Sequence, residues 1–149
     1  MILADSTFAM IDTIEQTGAI SPRIGEQAES AALVFVVDDQ KVIAELTAAI
    51  LQLEGFQTRI FHGPEEAWAA FSEGDSPDLL VTDYQMPTQN GLDLIEQCKE
   101  RHPGLRTILY SGSARRGIYA DRRIKPDGFL EKPFVPQHLI DTAKSVLAG

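Results

Sequence analysis

From residue 31 onward, short apolar runs alternate with segments whose apolar residues recur at helical spacing. Leu33–Val37 is a continuous apolar run, which is typical of a strand covered on both faces. In Lys41–Leu53, which follows, apolar residues recur three or four positions apart, and Gly55 is a suitable helix stop. The same two patterns alternate to the end of the chain, so strands and helices are predicted in turn.

This alternation predicts a parallel sheet with helices on both faces. The predicted strands are 33–37, 56–61, 78–82, 106–110 and 129–130, and the predicted helices are 41–53, 64–72, 91–101, 113–123 and 136–147. One face of the first helix carries Val42, Leu46, Ala49, Ile50 and Leu53. The expected fold class is α/β, a doubly wound five-stranded parallel sheet of order 2-1-3-4-5, flavodoxin-like, with five helices.

Residues 1–30 do not follow this pattern and are predicted to form an N-terminal extension, followed by one domain over 31–149. A short helix over 6–17 would place Phe8, Ile11 and Ile14 in a narrow apolar stripe, and 21–30 has the composition of a linker. A loose tail or a weakly docked helix is favoured over a dimerisation element, because three residues bury little area.

Composition excludes several classes of function. The net charge of −9 argues against non-specific nucleic-acid binding, which needs a basic surface. The longest apolar run is far shorter than the roughly 18 residues of a membrane span, so no membrane partner is expected. The single cysteine, Cys98, suits a reducing cytoplasm, where we expect the chain to act, and is predicted to be a buried or half-buried thiol.

The basic residues are unevenly distributed. Arg115, Arg116, Arg122, Arg123 and Lys125 account for five of the thirteen lysines and arginines. A solvated helix face is the favoured interpretation, and a docking patch for an acidic partner is the alternative.

Polar residues follow the predicted strands where each strand ends. Asp38 and Asp39 follow the first strand, and Asp83 follows the third. In a 2-1-3-4-5 sheet these two strands flank the switch point, where ligands bind outside the carboxyl edge. Three clustered carboxylates repel each other unless a cation lies among them, and oxygen ligands suit Mg²⁺. The pattern therefore predicts a magnesium site.

Ser111 follows the fourth strand, and Lys132 follows the fifth. Each polar group has an ordinary structural explanation when taken singly: an aspartate pair caps a helix, and Ser-Gly or Lys-Pro forms a turn. These explanations fit poorly together, because every group lies at the same sheet edge. The bond from Lys132 to Pro133 is a candidate cis peptide.

Four stretches carry a family resemblance: FVVDD at 35–39, VTDYQMP at 81–87 with NGLDL at 90–94, SG at 111–112, and FLEKPF at 129–134. Together they resemble the receiver domain of two-component response regulators, over about residues 32–148. The resemblance implies that Asp83 is the phospho-acceptor and that Lys132 pairs with the phosphoryl group. It implies that Ser111 is the switch hydroxyl and Phe129 the switch aromatic.

The resemblance also implies the metal ligands. Asp39 and Asp83 would bind Mg²⁺ directly, Asp38 mainly through water, and Gln85 through its backbone carbonyl. The phosphoryl group would come from a phosphohistidine on a histidine kinase or phosphotransfer protein. It would be lost slowly to water, so the chain is not expected to be an enzyme in the ordinary sense.

On this reading, phosphorylation alters the surface of the fourth helix, fifth strand and fifth helix, which an unidentified downstream protein contacts. Alternatives remain open: a receiver module cut from a hybrid kinase or longer regulator, or a docking domain that works without phosphorylation. A haloacid dehalogenase-class phosphatase is disfavoured, because its two aspartates lie two residues apart, whereas Asp38 and Asp39 are adjacent. A flavodoxin-like cofactor binder is disfavoured because 37–41 lacks a glycine-rich phosphate loop.

Overall fold

The structure, a computed structural model, describes residues 31–112 and 116–149 of the chain. The N-terminal extension, with the helix predicted at 6–17, lies outside these residues.

Five strands and four α-helices alternate along the described chain. They are β1 Leu33–Val37, α1 Lys41–Leu53, β2 Gln57–Phe61, α2 Pro64–Ser72, β3 Leu79–Asp83, α3 Gly91–Arg101, β4 Arg106–Ser111, β5 Gly128–Glu131 and α4 Pro136–Ala148. The boundaries differ from the predicted ones by no more than one residue at any end, and a short 3₁₀ helix, Arg116–Tyr119, precedes β5.

The five strands form one parallel sheet in the order β2-β1-β3-β4-β5, which confirms the predicted 2-1-3-4-5 topology. The register places Val37 beside Thr82 and Asp83 beside Tyr110. The carboxyl ends of β1, β3 and β4 therefore lie side by side, so that the residues following them share one edge.

Two apolar clusters cover the faces of the sheet. On one face, residues from β1, β3 and β4 pack against α1 and α4, and Leu51, Ile108 and Leu139 are among its fully buried members. On the other face, alternate residues of the same strands pack against α2 and α3, together with Phe129 of β5. Burial on both faces explains why β1 is a continuous apolar run.

The prediction of an α-helix over 113–123 was wrong for the residues that the structure describes. Among the described residues between β4 and β5, only Arg116–Tyr119 is helical, and it is 3₁₀ rather than α. The segment lacks an apolar stripe to bury, and Gly117 lowers helix propensity within it. The predicted fifth helix is thus α4, the fourth α-helix of the described chain.

The apolar face predicted for the first helix is present, but most of it points outward. Val42, Leu46 and Leu53 are 73%, 56% and 86% exposed, whereas Ile50 is buried. The buried face consists of Ala44, Thr47, Ala48, Ile50 and Leu51. Small residues allow α1 to lie close against the sheet, and the larger apolar side chains remain available for contact with another molecule.

Gly91 begins α3 at a point where the helix touches β3. A β-carbon at this position would overlap the backbone carbonyl of Asp83 and would lie 2.9 Å from Leu109 Cδ1. The absence of a side chain at Gly91 thus lets α3 begin directly against the residue that ends β3. The Gly91 N–H donates to the Tyr84 carbonyl at 2.8 Å, which fixes the turn leaving Asp83.

Within the described ranges, no helix is both long enough and apolar enough to cross a bilayer. Cys98 lies in α3 and is buried, as predicted, and burial raises the pKa of its thiol to about 12.

Candidate functional site

The acid pair that follows β1 is not a helix cap. The N-cap of α1 is Gln40, whose side chain makes no capping bond. Asp38 is fully buried, and its Oδ1 accepts a hydrogen bond from the Gln40 N–H at 2.9 Å. Asp39 is exposed. The pair therefore presents one carboxylate fixed inside the sheet edge and one available to a ligand.

The structure brings the three predicted carboxylates together. Asp38, Asp39 and Asp83 each offer an oxygen, and these oxygens lie within 4.8 Å of one another. A cleft of about 410 Å³ opens over them and is lined by Asp39, Gln40, Asp83, Gln85, Gly112 and Lys132. Three carboxylates at this spacing fit a hard divalent cation that keeps some of its waters.

Lys132 reaches the same cluster from the end of β5. Its Nζ lies 3.3 Å from Asp83 Oδ1 and 3.6 Å from Asp38 Oδ2. The Lys132–Pro133 peptide is cis, in agreement with the sequence-based suggestion. A single lysine facing three carboxylates leaves a net negative site, which attracts a cation.

The environment of Asp83 disfavours its charged form. Burial raises the pKa of Asp83, the Lys132 ammonium opposes that rise, and the charge of Asp38 adds to it. The upward shift has the greater effect, so without a bound cation the ionised Asp83 costs the folded state free energy.

Asp83→Asn is therefore expected to stabilise the metal-free domain at pH 7, because it removes a buried charge from an acidic cluster. A raised folded-state pKa means that stability is greatest below the ordinary aspartate pKa and falls as pH rises through the folded value. The gain over the wild type should therefore shrink on acidification. Urea unfolding in EDTA at pH 7 and pH 4 measures it.

The exposed Asp121 supplies the control, since Asp121→Asn should leave stability unchanged at both pH values. A loss of stability in Asp83→Asn at pH 7 would mean that the pair with Lys132 outweighs the cost of burial.

Two residues that the sequence analysis did not single out complete the buried side of the site. The Tyr110 hydroxyl donates to Asp38 Oδ2 at 2.7 Å, and Thr47 of α1 hydrogen-bonds the same hydroxyl. Burial, followed by the charge of Asp38, raises the pKa of Tyr110. The hydroxyl therefore stays protonated and donates a hydrogen bond to Asp38. In the sequence, Tyr110 could have been noticed as a tyrosine next to the apolar residues of a strand, because a buried tyrosine hydroxyl usually has a hydrogen-bond partner.

The other predicted residues lie around this centre. Ser111 is buried at the end of β4, and its backbone carbonyl accepts from the Lys132 N–H at 2.8 Å. Phe129 is buried in β5, and its ring centroid lies 6.0 Å from that of Tyr119 in the 3₁₀ helix. Gln85 lines the acidic cleft.

Three residues of the basic stretch bond within the chain, whereas Arg115 lies outside the described residues. Arg122 pairs with Asp93 and Glu96 of α3 at 3.0 and 3.1 Å. Arg123 pairs with Glu100 at 2.6 Å, and Lys125 Nζ donates to the Arg122 carbonyl. These contacts tie the segment to α3 in place of the predicted solvated helix face, and they leave less charge for an acidic partner.

Comparison with known proteins agrees with this geometry. A family model described as "Response regulator receiver domain" matches residues 34–144. The chain belongs to the response regulator receiver domain family. Receiver domains bind Mg²⁺ and accept a phosphoryl group as a class, and the acidic cluster has the donor atoms that such a site needs.

Individual relatives carry the receiver domain within longer proteins. The chain is 28% identical over 114 residues to "Transcriptional regulatory protein CpxR" of Klebsiella pneumoniae, covering 76% of this chain and 48% of that protein. It is 31% identical over 127 residues to "DNA-binding transcriptional regulator NtrC" of Azospirillum brasilense, covering 79% and 24%. The chain thus spans half or less of the length of these two relatives.

Solved receiver domains match over nearly their whole length. The receiver domain of NtrX from Brucella abortus is 34% identical with a TM-score of 0.70, covering 77% of this chain and 98% of that one. A CheY-like receiver domain protein from Methanospirillum hungatei is 27% identical with a TM-score of 0.71, covering 80% and 95%.

Proposed function

We propose that Asp83 of this receiver domain accepts a phosphoryl group from a phosphohistidine on a histidine kinase or phosphotransfer protein. The observation that carries the proposal is the position of the Asp83 carboxylate at the open end of β3. It lies 3.3 Å from Lys132 Nζ and in one cluster with Asp38 and Asp39. A signalling role of this kind suits the cytoplasm.

The transfer balances without a general base. An Asp83 carboxylate oxygen attacks phosphorus in line, and the bond between phosphorus and the donor's imidazole nitrogen breaks. The imidazole leaves with the electron pair, and an acyl phosphate forms on Asp83. Attack of water on phosphorus later breaks the bond between phosphorus and the Asp83 oxygen, which releases inorganic phosphate and restores the carboxylate. The chain acts as a phosphoryl acceptor with slow self-dephosphorylation rather than as an enzyme with turnover.

Asp39, Asp83 and the Gln85 carbonyl would hold Mg²⁺ directly, with Asp38 mainly through water. When bound, the cation supplies positive charge against the phosphoryl oxygens. Lys132 neutralises part of the same charge, and its position beside Asp83 orients the carboxylate for attack.

Phosphorylation would then shift the equilibrium between two side-chain packings of the domain. The Ser111 hydroxyl bonds a phosphoryl oxygen, the segment after β4 moves toward the site, and the Phe129 ring repacks against it. The affected surface comprises the 3₁₀ segment, β5 and α4, where a downstream protein would dock. The contact between Phe129 and Tyr119 supports this coupling, because it places the Phe129 ring against a side chain of the 3₁₀ helix.

The phosphodonor itself would dock on α1. An apolar groove of about 400 Å³ runs beside the site and is lined by Ile43, Leu46, Thr47, Ile50, Lys132, Pro133, Phe134 and Pro136. Lys132 lines both this groove and the acidic cleft, so a protein bound in the groove would contact the lysine that lies 3.3 Å from Asp83. We assign the groove to an apolar surface of the protein that carries the phosphohistidine.

Leu46→Asp tests this docking surface, because it places a charge on the exposed apolar face of α1. With a histidine kinase that phosphorylates the wild type, transfer should slow by about tenfold or more, the effect of losing a buried interface anchor. Acetyl phosphate, which needs no docking surface, should label both proteins equally. Equal rates from the kinase would place the donor elsewhere.

Intact-mass spectrometry tests the central proposal. Incubation with acetyl phosphate and Mg²⁺ should add the mass of one phosphoryl group, and EDTA should prevent the addition. A protein that gains no phosphoryl group under these conditions would instead support the phosphorylation-independent docking domain.

A further inference from the structure

The Tyr110 side chain contacts both functional halves of the site from inside the sheet. Its hydroxyl donates to Asp38 Oδ2 at 2.7 Å, and Lys132 Nζ lies 4.8 Å from the centroid of its ring. Tyr110 and Asp38 are both fully buried. One side chain thus touches Asp38, a carboxylate of the proposed magnesium site, and Lys132, the ammonium proposed to pair with the phosphoryl group.

The hydroxyl is held in place from a second direction. Thr47, buried on α1, hydrogen-bonds the Tyr110 hydroxyl. The ring is flanked by Phe134, whose centroid lies 5.6 Å away. The Tyr110 side chain is therefore fixed by packing and by a hydrogen bond before it reaches Asp38, which is what a positioning group requires.

Each carboxylate oxygen of Asp38 therefore accepts a hydrogen bond from within the chain. Oδ1 accepts from the Gln40 N–H at 2.9 Å, and Oδ2 accepts from Tyr110 at 2.7 Å. Without the tyrosine hydroxyl, the only cation within reach of Oδ2 among the described residues is Lys132, at 3.6 Å. Asp38 would then rotate toward Lys132 and draw it away from Asp83.

We infer that Tyr110, braced by Thr47, is a positioning residue that fixes the orientation of Asp38 for magnesium binding and keeps Lys132 available to Asp83. The inference rests on the proposed function, because it takes the acidic cluster as the magnesium site. Hydrogen-bonding partners behind metal-binding groups commonly have this role.

Tyr110→Phe isolates the hydroxyl, because the ring that packs on Phe134 and carries Lys132 remains. Titration of the metal-free domain with MgCl₂ by isothermal calorimetry should give a dissociation constant about tenfold higher than in the wild type. Thr47→Val should raise it less, in the same direction. A purely structural role for Tyr110 would lower the urea midpoint while leaving the magnesium affinity of the folded domain unchanged.

Tyr119→Phe is the matched control, since it removes a tyrosine hydroxyl near Phe129 on the opposite apolar cluster. Its magnesium affinity should equal that of the wild type. If Tyr110→Phe does not fold, Thr47→Val carries the test, because Tyr110 itself is intact in that variant.

Asp39→Asn separates the two levels of the proposal. If the wild type binds Mg²⁺, Asp39→Asn does not, and Tyr110→Phe and Thr47→Val bind within twofold of the wild type, the positioning role is overturned while the magnesium site stands. If the wild type itself binds no Mg²⁺, the proposed function fails, and the positioning role fails with it.

Discussion

Asp83→Asn is expected to abolish phosphorylation by acetyl phosphate, with no added phosphoryl mass at any donor concentration that labels the wild type completely. An amide is a much poorer nucleophile than a carboxylate and cannot form the acyl phosphate. Neither neighbour is expected to substitute, because Asp38 is buried with both oxygens hydrogen-bonded and Asp39 is the residue that we propose binds Mg²⁺ directly. Intact-mass spectrometry of the native protein measures the result.

Asp121→Asn is the control for this experiment, because it makes the same chemical change on an exposed aspartate away from the cleft. It should be labelled as fast as the wild type. Phosphoryl mass that persists in Asp83→Asn would move the acceptor to another residue, and peptide mapping would identify it.

Lys132→Gln is expected to change two properties in opposite directions. Labelling should slow by about 100-fold, because a positioned charge against the developing phosphoryl oxygens is lost. Magnesium affinity should rise, since the ammonium that now lies 3.3 Å from Asp83 and 3.6 Å from Asp38 no longer competes with the cation. Quenched-flow labelling and calorimetric titration measure the two quantities.

The exposed Lys144, which pairs with Glu54 at 2.9 Å, offers the matched change. Lys144→Gln should alter neither the labelling rate nor the magnesium affinity. Parallel losses of labelling and magnesium affinity in Lys132→Gln would indicate a collapsed site, and the assigned role of the lysine would then be wrong.

The apolar pattern predicts the fold correctly wherever burial or chain direction allows only one arrangement of strands and helices. The apolar run of β1 required cover on both faces, and alternation with helices required a parallel sheet. Once the strand order was fixed, Asp38, Asp39, Asp83 and Lys132 had to converge, because each follows a strand that ends at the same edge.

Other features depended on information that periodicity does not hold. Apolar spacing in α1 shows that a stripe exists but not that it faces the sheet, and Leu46 points outward because small residues such as Ala44 fit the core side. A 3₁₀ segment, Arg116–Tyr119, occupies part of the predicted helix, and Arg122, which follows it, pairs with Asp93 of α3.

The tyrosine behind Asp38 was hidden for a different reason. Tyr110 reads as one more large residue in an apolar strand, and only the register that sets it beside Asp83 directs its hydroxyl to the acid pair. Side-chain partners of this kind arise from tertiary packing, so they become visible only when strand and helix positions are known.

A crystal structure of the domain with Mg²⁺ and beryllofluoride tests the central claim most directly, since beryllofluoride stands in for a phosphoryl group on a carboxylate. The predicted result is a beryllium–oxygen bond to Asp83, with fluorine atoms bonded to Lys132 Nζ and the Ser111 hydroxyl and Mg²⁺ on Asp39. Beryllofluoride bound to any other carboxylate, or Lys132 turned away from it, would contradict the account.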